Sequence, residues 1–193
     1  MTRITEDHLE RYVVDELCNN GYTYLYGPNI AVDGSDPERA SYEEVVLVER
    51  LRSAIRRINP TIPVDAQEHA LREVLRLGST DIIGANEHFH ELLTTGVKVE
   101  YRKNGHDKGD LVWLVDFHNP ENNEFVVCNQ YTIIERSNNK RPDVILFVNG
   151  LPLVVVELKN PADEHATIDK AYNQIVTYTK TIPSLFHYNG FNV

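Results

Sequence analysis

Two short apolar segments in the C-terminal third of the chain constrain its fold most strongly. The segments PDVILFV (142–148) and LPLVVVELK (151–159) are rich in β-branched residues, and only Asn149-Gly150 separates them. Strands that are apolar along almost their whole length are typical of the centre of a sheet that is covered on both faces. The sequence therefore predicts a sheet with protein packed on both sides.

The other segments predict helices first, then strands, then a last helix. Amphipathic spacing predicts helices over residues 6–19, from Ser41 to Asn59, over 64–77, over 86–94 and over 167–181. The second begins at SYEE, which has the spacing of a capping box. β-branched and aromatic residues predict strands over 21–26, 97–102, 110–117 and 124–135, with loops over 27–39 and 136–141. This order indicates the α/β or α+β class.

The composition indicates a single domain over residues 1–193. Apolar residues make up 41% of the chain and charged residues 25%, so a sizeable core can be buried. The sequence has no apolar run near the roughly 20 residues of a membrane span, and it has no secretory signal. Cys18 and Cys128 are far apart, with no metal-ligand spacing. We therefore expect reduced thiols and a cytoplasmic protein without membrane contact.

The net charge of −10 argues against a protein that holds DNA by bulk electrostatics. It does not exclude a nuclease, because carboxylates that bind a metal add to the negative charge. Any contact with DNA must then use a local basic patch, or must come from another domain or subunit.

Three residues at the ends of the two apolar strands carry the chemical signal. Asp143 stands at the start of one strand, and Glu157 and Lys159 stand at the end of the next. Alternate residues of a strand point to one face, so Glu157 and Lys159 share a side. Glu-x-Lys alone is more often a solvated ion pair that contributes little. The aspartate and the long apolar strand before Glu157 favour a shared site, because buried charges need partners.

The turn between the two strands decides whether the Asp143 side chain lies on the same face as Glu157 and Lys159. With a two-residue turn at Asn149-Gly150, Asp143 would lie opposite Val156, on the wrong side. A three-residue loop with Gly150 in the left-handed conformation places Asp143 on the same face as Glu157. We therefore predict an odd-length loop or a bulge at Asn149-Gly150.

Two carboxylates on one face are suited to phosphodiester hydrolysis. Asp143 and Glu157 can bind a hard divalent cation such as Mg²⁺ through oxygen, and the backbone carbonyl of Leu158 is a further ligand candidate. Such a cation polarises the phosphate and lowers the pKa of bound water. The ammonium of Lys159 can orient that water and stabilise negative charge as it develops.

The last predicted helix places two polar side chains on one face. Gln174 and Tyr178 are four residues apart and are therefore neighbours on a helix. One interpretation is that their polar ends reach the metal site or the DNA backbone. Taken in isolation, a core tyrosine beside a boundary glutamine is an equally good interpretation.

These motifs resemble a known nuclease superfamily. Pro142-Asp143 with ELK at 157–159 resembles the PD-(D/E)XK pattern, and QIVTY at 174–178 is similar to the QxxxY motif of its RecB-like branch. Longer segments resemble the N-terminal region of type I restriction enzyme R subunits (HsdR) over nearly the whole chain, among them SYEEVVLVERLRSAIRRINP and RPDVILFVNGLPLVVVELKNPAD. The resemblance is therefore long as well as specific.

The resemblance implies a restriction-endonuclease-like αβββαβ core, with a mixed central sheet flanked by helices and an N-terminal helical elaboration. It implies cleavage of double-stranded DNA with Mg²⁺, for which Mn²⁺ can substitute. In the whole R subunit, ATP-dependent motor domains would follow, and modification and specificity subunits would be partners. This chain has no G-x-x-x-x-G-K-[ST] motif, so we expect a nuclease fragment that does not itself bind ATP.

Further residues are candidates for the site. Members of the superfamily often carry another acid on the first helix, and Glu10 is the candidate here, with an ordinary surface glutamate as the rival interpretation. Lys140 and Arg141 stand just before Asp143 and can contact phosphate. For residues of this kind, a solvated turn is the default alternative.

Two alternatives to an R-subunit nuclease remain at this point. The first is a stand-alone RecB-like nuclease, which a reading frame that continues into a motor would exclude. The second is a nuclease fold kept as a non-catalytic docking module, which would not bind Mg²⁺ through Asp143.

Overall fold

A five-stranded sheet lies at the centre of the computed structural model, which describes residues 5–77, 81–159 and 168–193. The helices are α1 (Glu6–Asn19), α2 (Gly27–Ile30), α3 (Val48–Ile58), α4 (Val64–Leu75), α5 (Ile82–Thr95), α6 (Ile168–Thr181) and α7 (Pro183–Phe186). The strands are β1 (Thr23–Tyr26), β2 (Val97–Lys103), β3 (His106–Val112), β4 (Phe125–Asn129), β5 (Ile133–Glu135), β6 (Asn138–Lys140), β7 (Val144–Val148), β8 (Leu151–Val156) and β9 (Phe191–Asn192). Within the described ranges, every helix is too short or too polar to cross a membrane.

The central sheet has the strand order β1-β4-β7-β8-β9. Its three inner strands are antiparallel neighbours, whereas β1 pairs with β4, and β9 with β8, in parallel. In chain order, α1, β4, β7, β8, α6 and β9 form the αβββαβ core of a restriction-endonuclease-like fold. The predicted mixed sheet flanked by helices is therefore confirmed.

Apolar side chains cover both faces of the inner strands. On one face, Val14 of α1 packs against three strand residues, Val127, Val144 and Val156. On the other face, Ile145 and Phe147 belong to a larger core that takes side chains from α3, α4, α5 and α6. Because neighbouring residues of β7 are buried on opposite faces, the whole strand must be apolar, as the sequence predicted.

The segment 41–47 was predicted as the start of a helix, and this prediction is wrong, since α3 begins at Val48. The physical reason is the buried side chain of Arg39. It donates hydrogen bonds of 2.8 Å to three backbone carbonyls, those of Tyr42, Glu44 and Thr132. The Tyr42 and Glu44 carbonyls point to the Arg39 guanidinium and therefore do not accept the backbone hydrogen bonds of a helix. The segment 41–47 is irregular for this reason.

Two predicted strands end earlier than their sequences suggest. β3 ends at Val112 and not at residue 117, because the side chain of Asn59 bonds to both the backbone N–H and the carbonyl of Trp113. The predicted strand 124–135 is broken at Gln130, whose φ of 56° lies in the left-handed region. The Asn59 contact in the first case and the backbone turn at Gln130 in the second replace the strand pairing that the β-branched composition favours.

Several short elements were not predicted. β6 lies in the predicted loop 136–141, where it pairs with β5, and α2 lies in the predicted loop 27–39. α5 begins at Ile82, four residues before its predicted start, because the Asp81 side chain caps it by accepting from the Gly84 N–H. α7 and β9 were not predicted at all. The predicted first residue of the last helix, 167, lies outside the described residues.

Replacing Arg39 by methionine should lower the free energy of unfolding by about 3 kcal/mol or more, because three carbonyls lose a charged donor. The matched control is Ser41→Ala, which should change it by less than about 0.5 kcal/mol. Ser41 caps no helix, and its hydroxyl only accepts a 3.2 Å hydrogen bond from the Glu43 N–H. Urea unfolding measures both, and equal losses would contradict the role assigned to Arg39.

Candidate active site

The register between β7 and β8 decides whether the candidate carboxylates meet. Val148 pairs with Leu151, so Asn149-Gly150 is a two-residue turn, with φ angles of 52° and 82°. Further along, Phe147 pairs with Pro152 but Leu146 pairs with Val154, which leaves Leu153 as an extra residue in a bulge. The predicted change of register is therefore present. Its predicted position at the turn is wrong, because the bulge lies within the strand pair.

Packing around the turn explains why the extra residue is not placed there. The Leu47 N–H donates to the Gly150 carbonyl at 2.9 Å, and a Cβ on Gly150 would lie only 2.5 Å from the Leu47 carbonyl oxygen. The buried Asn149 side chain accepts from the Glu124 N–H and donates to the Leu114 carbonyl. These contacts hold the turn tight, and the strand pair accommodates Leu153 instead.

The bulge brings Asp143, Glu157 and Lys159 together. The outermost pair of β7 and β8 is Val144 opposite Val156. Asp143 comes directly before Val144 and Glu157 directly after Val156, so the two acidic residues occupy facing positions. The Asp143 Oδ2 atom accepts a hydrogen bond of 2.6 Å from the Leu158 N–H. The Lys159 ammonium donates to Glu157 Oε1 at 2.6 Å and to the Leu158 carbonyl at 3.0 Å. The shared face that the sequence analysis required is therefore observed.

Burial raises the pKa of both carboxyl groups. Glu157 is only 5% exposed, and its Oε2 atom is buried without a hydrogen-bond partner in the described residues. Burial raises the pKa of Glu157, the bond from Lys159 opposes this, and the charge of Asp143 adds to it. Burial likewise raises the pKa of Asp143, against the opposing effects of the Leu158 N–H and Lys159. The site thus holds two carboxylates that lack full compensation for their charge.

Lys159 remains a cation in this environment. Burial lowers its pKa, but the hydrogen bond from Lys159 to Glu157 and the charges of Glu157 and Asp143 outweigh burial, and the net pKa is raised. A lysine with a raised pKa is a poor general base at neutral pH. Its chemistry is therefore that of a positive charge and a hydrogen-bond donor.

Helix α6 adds Gln174 and Tyr178 beside the carboxylates. The Gln174 amide donates to the Tyr178 hydroxyl oxygen at 2.7 Å, which leaves the hydroxyl proton available for donation. Burial raises the pKa of Tyr178, and the charges of Glu157 and Asp143 raise it further. Tyr178 is a core aromatic residue whose polar end lies within electrostatic reach of the site, so the two interpretations of this pair are compatible.

The structure places Glu10 near the carboxylates but in contact with other groups. Its carboxylate accepts from the Asn129 amide at 2.6 Å and from the Gln130 amide at 3.0 and 3.2 Å. The charge of Glu10 contributes to the raised pKa of Asp143. Glu10 therefore lies within electrostatic reach, and its role as a ligand stays a prediction.

Lys140 and Arg141 precede Asp143 as predicted, although Lys140 ends strand β6 and does not lie in a loop. Arg141 is exposed and Lys140 is partly exposed. Neither side chain has a hydrogen bond or ion pair within the described residues. Both are free to contact an external anion, and a phosphate role stays a prediction.

Two neighbours of the site were missed by the sequence analysis, Asn129 and Gln130. Asn129 ends β4 opposite Val144, and its amide also links Glu10 to the Tyr24 hydroxyl. The available signal was an Asn-Gln pair that interrupts the apolar strand VVCNQY. The left-handed φ of Gln130, which turns its side chain towards α1, is visible only in the tertiary structure.

The oxygens at this site fit a hard divalent cation. The unbonded Glu157 Oε2 atom and the Asp143 carboxylate converge from facing strands, and the Leu158 carbonyl already contacts the ammonium of Lys159. In the described ranges, no group of three or more His, Cys, Asp or Glu side chains forms a metal cluster. A cation held by two carboxylates would need water molecules as further ligands, which is the usual coordination of Mg²⁺.

The αβββαβ order and the paired carboxylates beside a lysine define a domain of the restriction-endonuclease-like class. A family model described as type I restriction enzyme R protein N terminus (HSDR_N) matches residues 3–193. The chain therefore belongs to the family of type I restriction enzyme R protein N-terminal regions.

Individual relatives are endonuclease subunits of type I restriction enzymes. The chain is 42% identical over 187 residues to the HindI subunit of Haemophilus influenzae, and 33% identical over 190 residues to the putative MjaIXP subunit of Methanocaldococcus jannaschii. Each match covers 96% of this chain and 18% of the relative, so the chain spans about a fifth of their length. The EcoprrI subunit of Escherichia coli is 28% identical over 176 residues, which are 91% of this chain and 50% of that relative.

Asp143→Asn should stabilise the metal-free protein at neutral pH. A carboxyl group whose pKa is raised by folding destabilises the folded state above that pKa, and the penalty disappears as the pH falls to the unfolded pKa. The advantage of Asp143→Asn over wild type should therefore shrink as the pH falls from 7 to 4. Urea unfolding in EDTA measures the difference.

Asp15→Asn is the matched control for this pH series, because Asp15 is exposed on α1. Its difference from wild type should stay small, because the Asp15 side chain is exposed. A loss of stability in Asp143→Asn at pH 7 would contradict the assignment of Asp143 as an undercompensated carboxylate.

Proposed function

We propose that this chain is the Mg²⁺-dependent nuclease domain of a type I restriction enzyme R subunit and that it cleaves double-stranded DNA. The observation that supports this most directly is the meeting of Asp143, Glu157 and Lys159 at the ends of β7 and β8. The family of the chain supports the same proposal, because its relatives are endonuclease subunits.

The three residues divide the chemistry between them. Asp143, Glu157 and the Leu158 carbonyl would hold the cation, and Mn²⁺ would fit the same oxygens as Mg²⁺. When bound, the cation supplies Lewis acidity and a bound water of lowered pKa. Lys159 would orient the attacking water and stabilise the charge that develops on the phosphate, since its raised pKa keeps it protonated.

The neighbouring polar residues would support this centre. Tyr178 has a hydroxyl proton available to donate towards Glu157, because the Gln174 amide occupies the hydroxyl oxygen. Lys140 and Arg141 would contact the phosphate backbone next to the scissile bond. Glu10, held by two amides, is the candidate for a further acid that acts on the cation through water.

The rest of the enzyme is part of the proposal. The first two relatives are between five and six times as long as their match to this chain, which covers 18% of each. We infer that ATP-dependent motor domains accompany the nuclease in the full-length R subunit. Modification and specificity subunits would complete a cytoplasmic restriction complex and would select the DNA sequence.

Mg²⁺ should stabilise the wild-type chain against unfolding. At a concentration tenfold above the dissociation constant, binding to the folded state alone contributes about 1.4 kcal/mol. Asp143→Asn and Glu157→Gln should lose this gain, and the control Asp15→Asn should keep it. Thermal unfolding and calorimetric titration with Mg²⁺ and Mn²⁺ measure the effect. Absence of any metal uptake that depends on Asp143 would favour a non-catalytic docking domain.

In the full-length R subunit, assembled with its partner subunits, Asp143→Ala, Glu157→Ala and Lys159→Ala should each reduce DNA cleavage at least about a hundredfold. ATP hydrolysis should continue, because the motor would be a separate domain. Gel assays of plasmid cleavage, run in parallel with phosphate release, measure both activities. Cleavage that survives Glu157→Ala would refute the assignment, and Asp15→Asn again serves as the control.

A further inference from the structure

The hairpin formed by β2 and β3, called here the ribbon (residues 97–112), stands apart from the central sheet. Three valines anchor its base in the core, Val97, Val99 and Val112. Its tip is the two-residue turn Asn104-Gly105, with φ angles of 53° and 81°. Residues 102–109 are all exposed. Tyr101 also packs against the core, so at about 3.3 Å per residue the ribbon extends on the order of 10 Å beyond its anchored part.

The ribbon is basic although the chain as a whole is acidic. The ribbon has four basic and three acidic residues, a net charge of +1 in a chain of net charge −10, and its exposed part, 102–109, has three basic residues and one acidic residue. Arg102 pairs with Asp107 at 3.3 Å, and Lys108 pairs with Asp110 at 2.7 Å. In the described residues, Lys98 and Lys103 make no ion pair. Their charges are therefore available to an external anion.

Cations lie on both faces of the ribbon. Lys98 and Arg102 share one face, because their positions differ by an even number, and Glu100 and Asp107 lie on that face as well. Lys103 and Lys108 lie on the other face, since the register pairs Lys103 with His106 and Tyr101 with Lys108. Lys98 and Lys103, the two cations without an ion pair in the described residues, thus lie on opposite faces, and a narrow element with such a cation on each face is suited to a space between two lines of negative charge.

We propose that the ribbon inserts into a groove of duplex DNA and that its lysines and arginine contact the phosphates on either side. The proposal rests on the proposed nuclease function and names the element that holds the substrate. The major groove, about 12 Å wide, admits a two-stranded β-ribbon. Contacts of this kind position a protein on DNA without reading the sequence.

The place of the ribbon in the fold agrees with such a role. Two residues after the ribbon, the Leu114 carbonyl accepts from the Asn149 amide at the β7–β8 turn. That turn lies at the opposite end of β7 from Asp143, roughly 20 Å away, since Asn149 is six residue steps along the strand from Asp143. The base of the ribbon therefore lies at the far end of β7 from the carboxylates and leaves them free to reach the scissile phosphate.

The test compares two triple variants with the same change in charge. The first neutralises the ribbon with Lys98→Gln, Arg102→Gln and Lys103→Gln. The second neutralises exposed cations elsewhere with Arg72→Gln, Arg76→Gln and Lys180→Gln. Fluorescence anisotropy with a labelled 30-base-pair duplex measures binding by the whole chain in EDTA, where a metal-dependent nuclease cannot cut, over a series of KCl concentrations.

Neutralising the ribbon should weaken binding at least tenfold in 50 mM KCl and should reduce the salt slope by 2 to 3, at about 0.9 per phosphate contact. The control variant should stay within threefold of wild type and keep its slope. Equal losses in both variants, or no binding by wild type at low salt, would overturn the proposal. Both variants should retain the Mg²⁺ stabilisation, so failure of the ribbon and failure of the metal site are distinguishable.

Discussion

The candidate site depends on the register between β7 and β8. The turn that joins these strands has only two residues, and by itself it would set Asp143 opposite an apolar valine. The bulge at Leu153 shifts the pairing by one residue, so Asp143 faces Glu157 instead. Because strand side chains alternate between faces, one extra residue decides whether two carboxylates meet at one point or lie on opposite sides of the sheet.

Once the register is set, the site carries charge that the fold compensates only in part. Glu157 is almost fully buried, and only one of its carboxylate oxygens has a hydrogen-bond partner in the described residues. Lys159 and the Leu158 N–H reduce the electrostatic penalty but do not remove it, which is why the pKa of each carboxyl group is raised. A divalent cation would supply the missing positive charge, so the same arrangement that destabilises the metal-free fold favours metal binding.

Charge is also unevenly distributed over the surface. An acidic chain repels DNA on average, and a nuclease of this composition needs local elements that attract it. As proposed, the basic ribbon would supply such an element at one end of β7, and Lys140 and Arg141 carry positive charge next to Asp143 at the other. Duplex DNA held at both points would lie against the acidic site without requiring a basic surface over the whole domain.

The sequence by itself determined the elements whose signals are local. The apolar runs predicted the inner strands, the 3.6-residue spacing predicted α1 with its exact bounds, and the motif residues identified Asp143, Glu157 and Lys159 as a group. The predictions of strands and helices were confirmed because burial on two faces and helical amphipathicity leave a pattern in consecutive residues, whereas the roles of the motif residues stay a prediction.

Only the tertiary structure decided the features that depend on residues far apart in sequence. Arg39 donates a hydrogen bond to the Thr132 carbonyl and prevents the helix that SYEE favours. The Asn59 side chain bonds to the backbone of Trp113, so β3 does not continue through that residue. The place of the bulge follows from the packing of Leu47 against Gly150, which no local pattern reveals. In each case a long-range contact stabilises the backbone by more than the local preference it overrides, because propensities differ by only about 1 kcal/mol per residue.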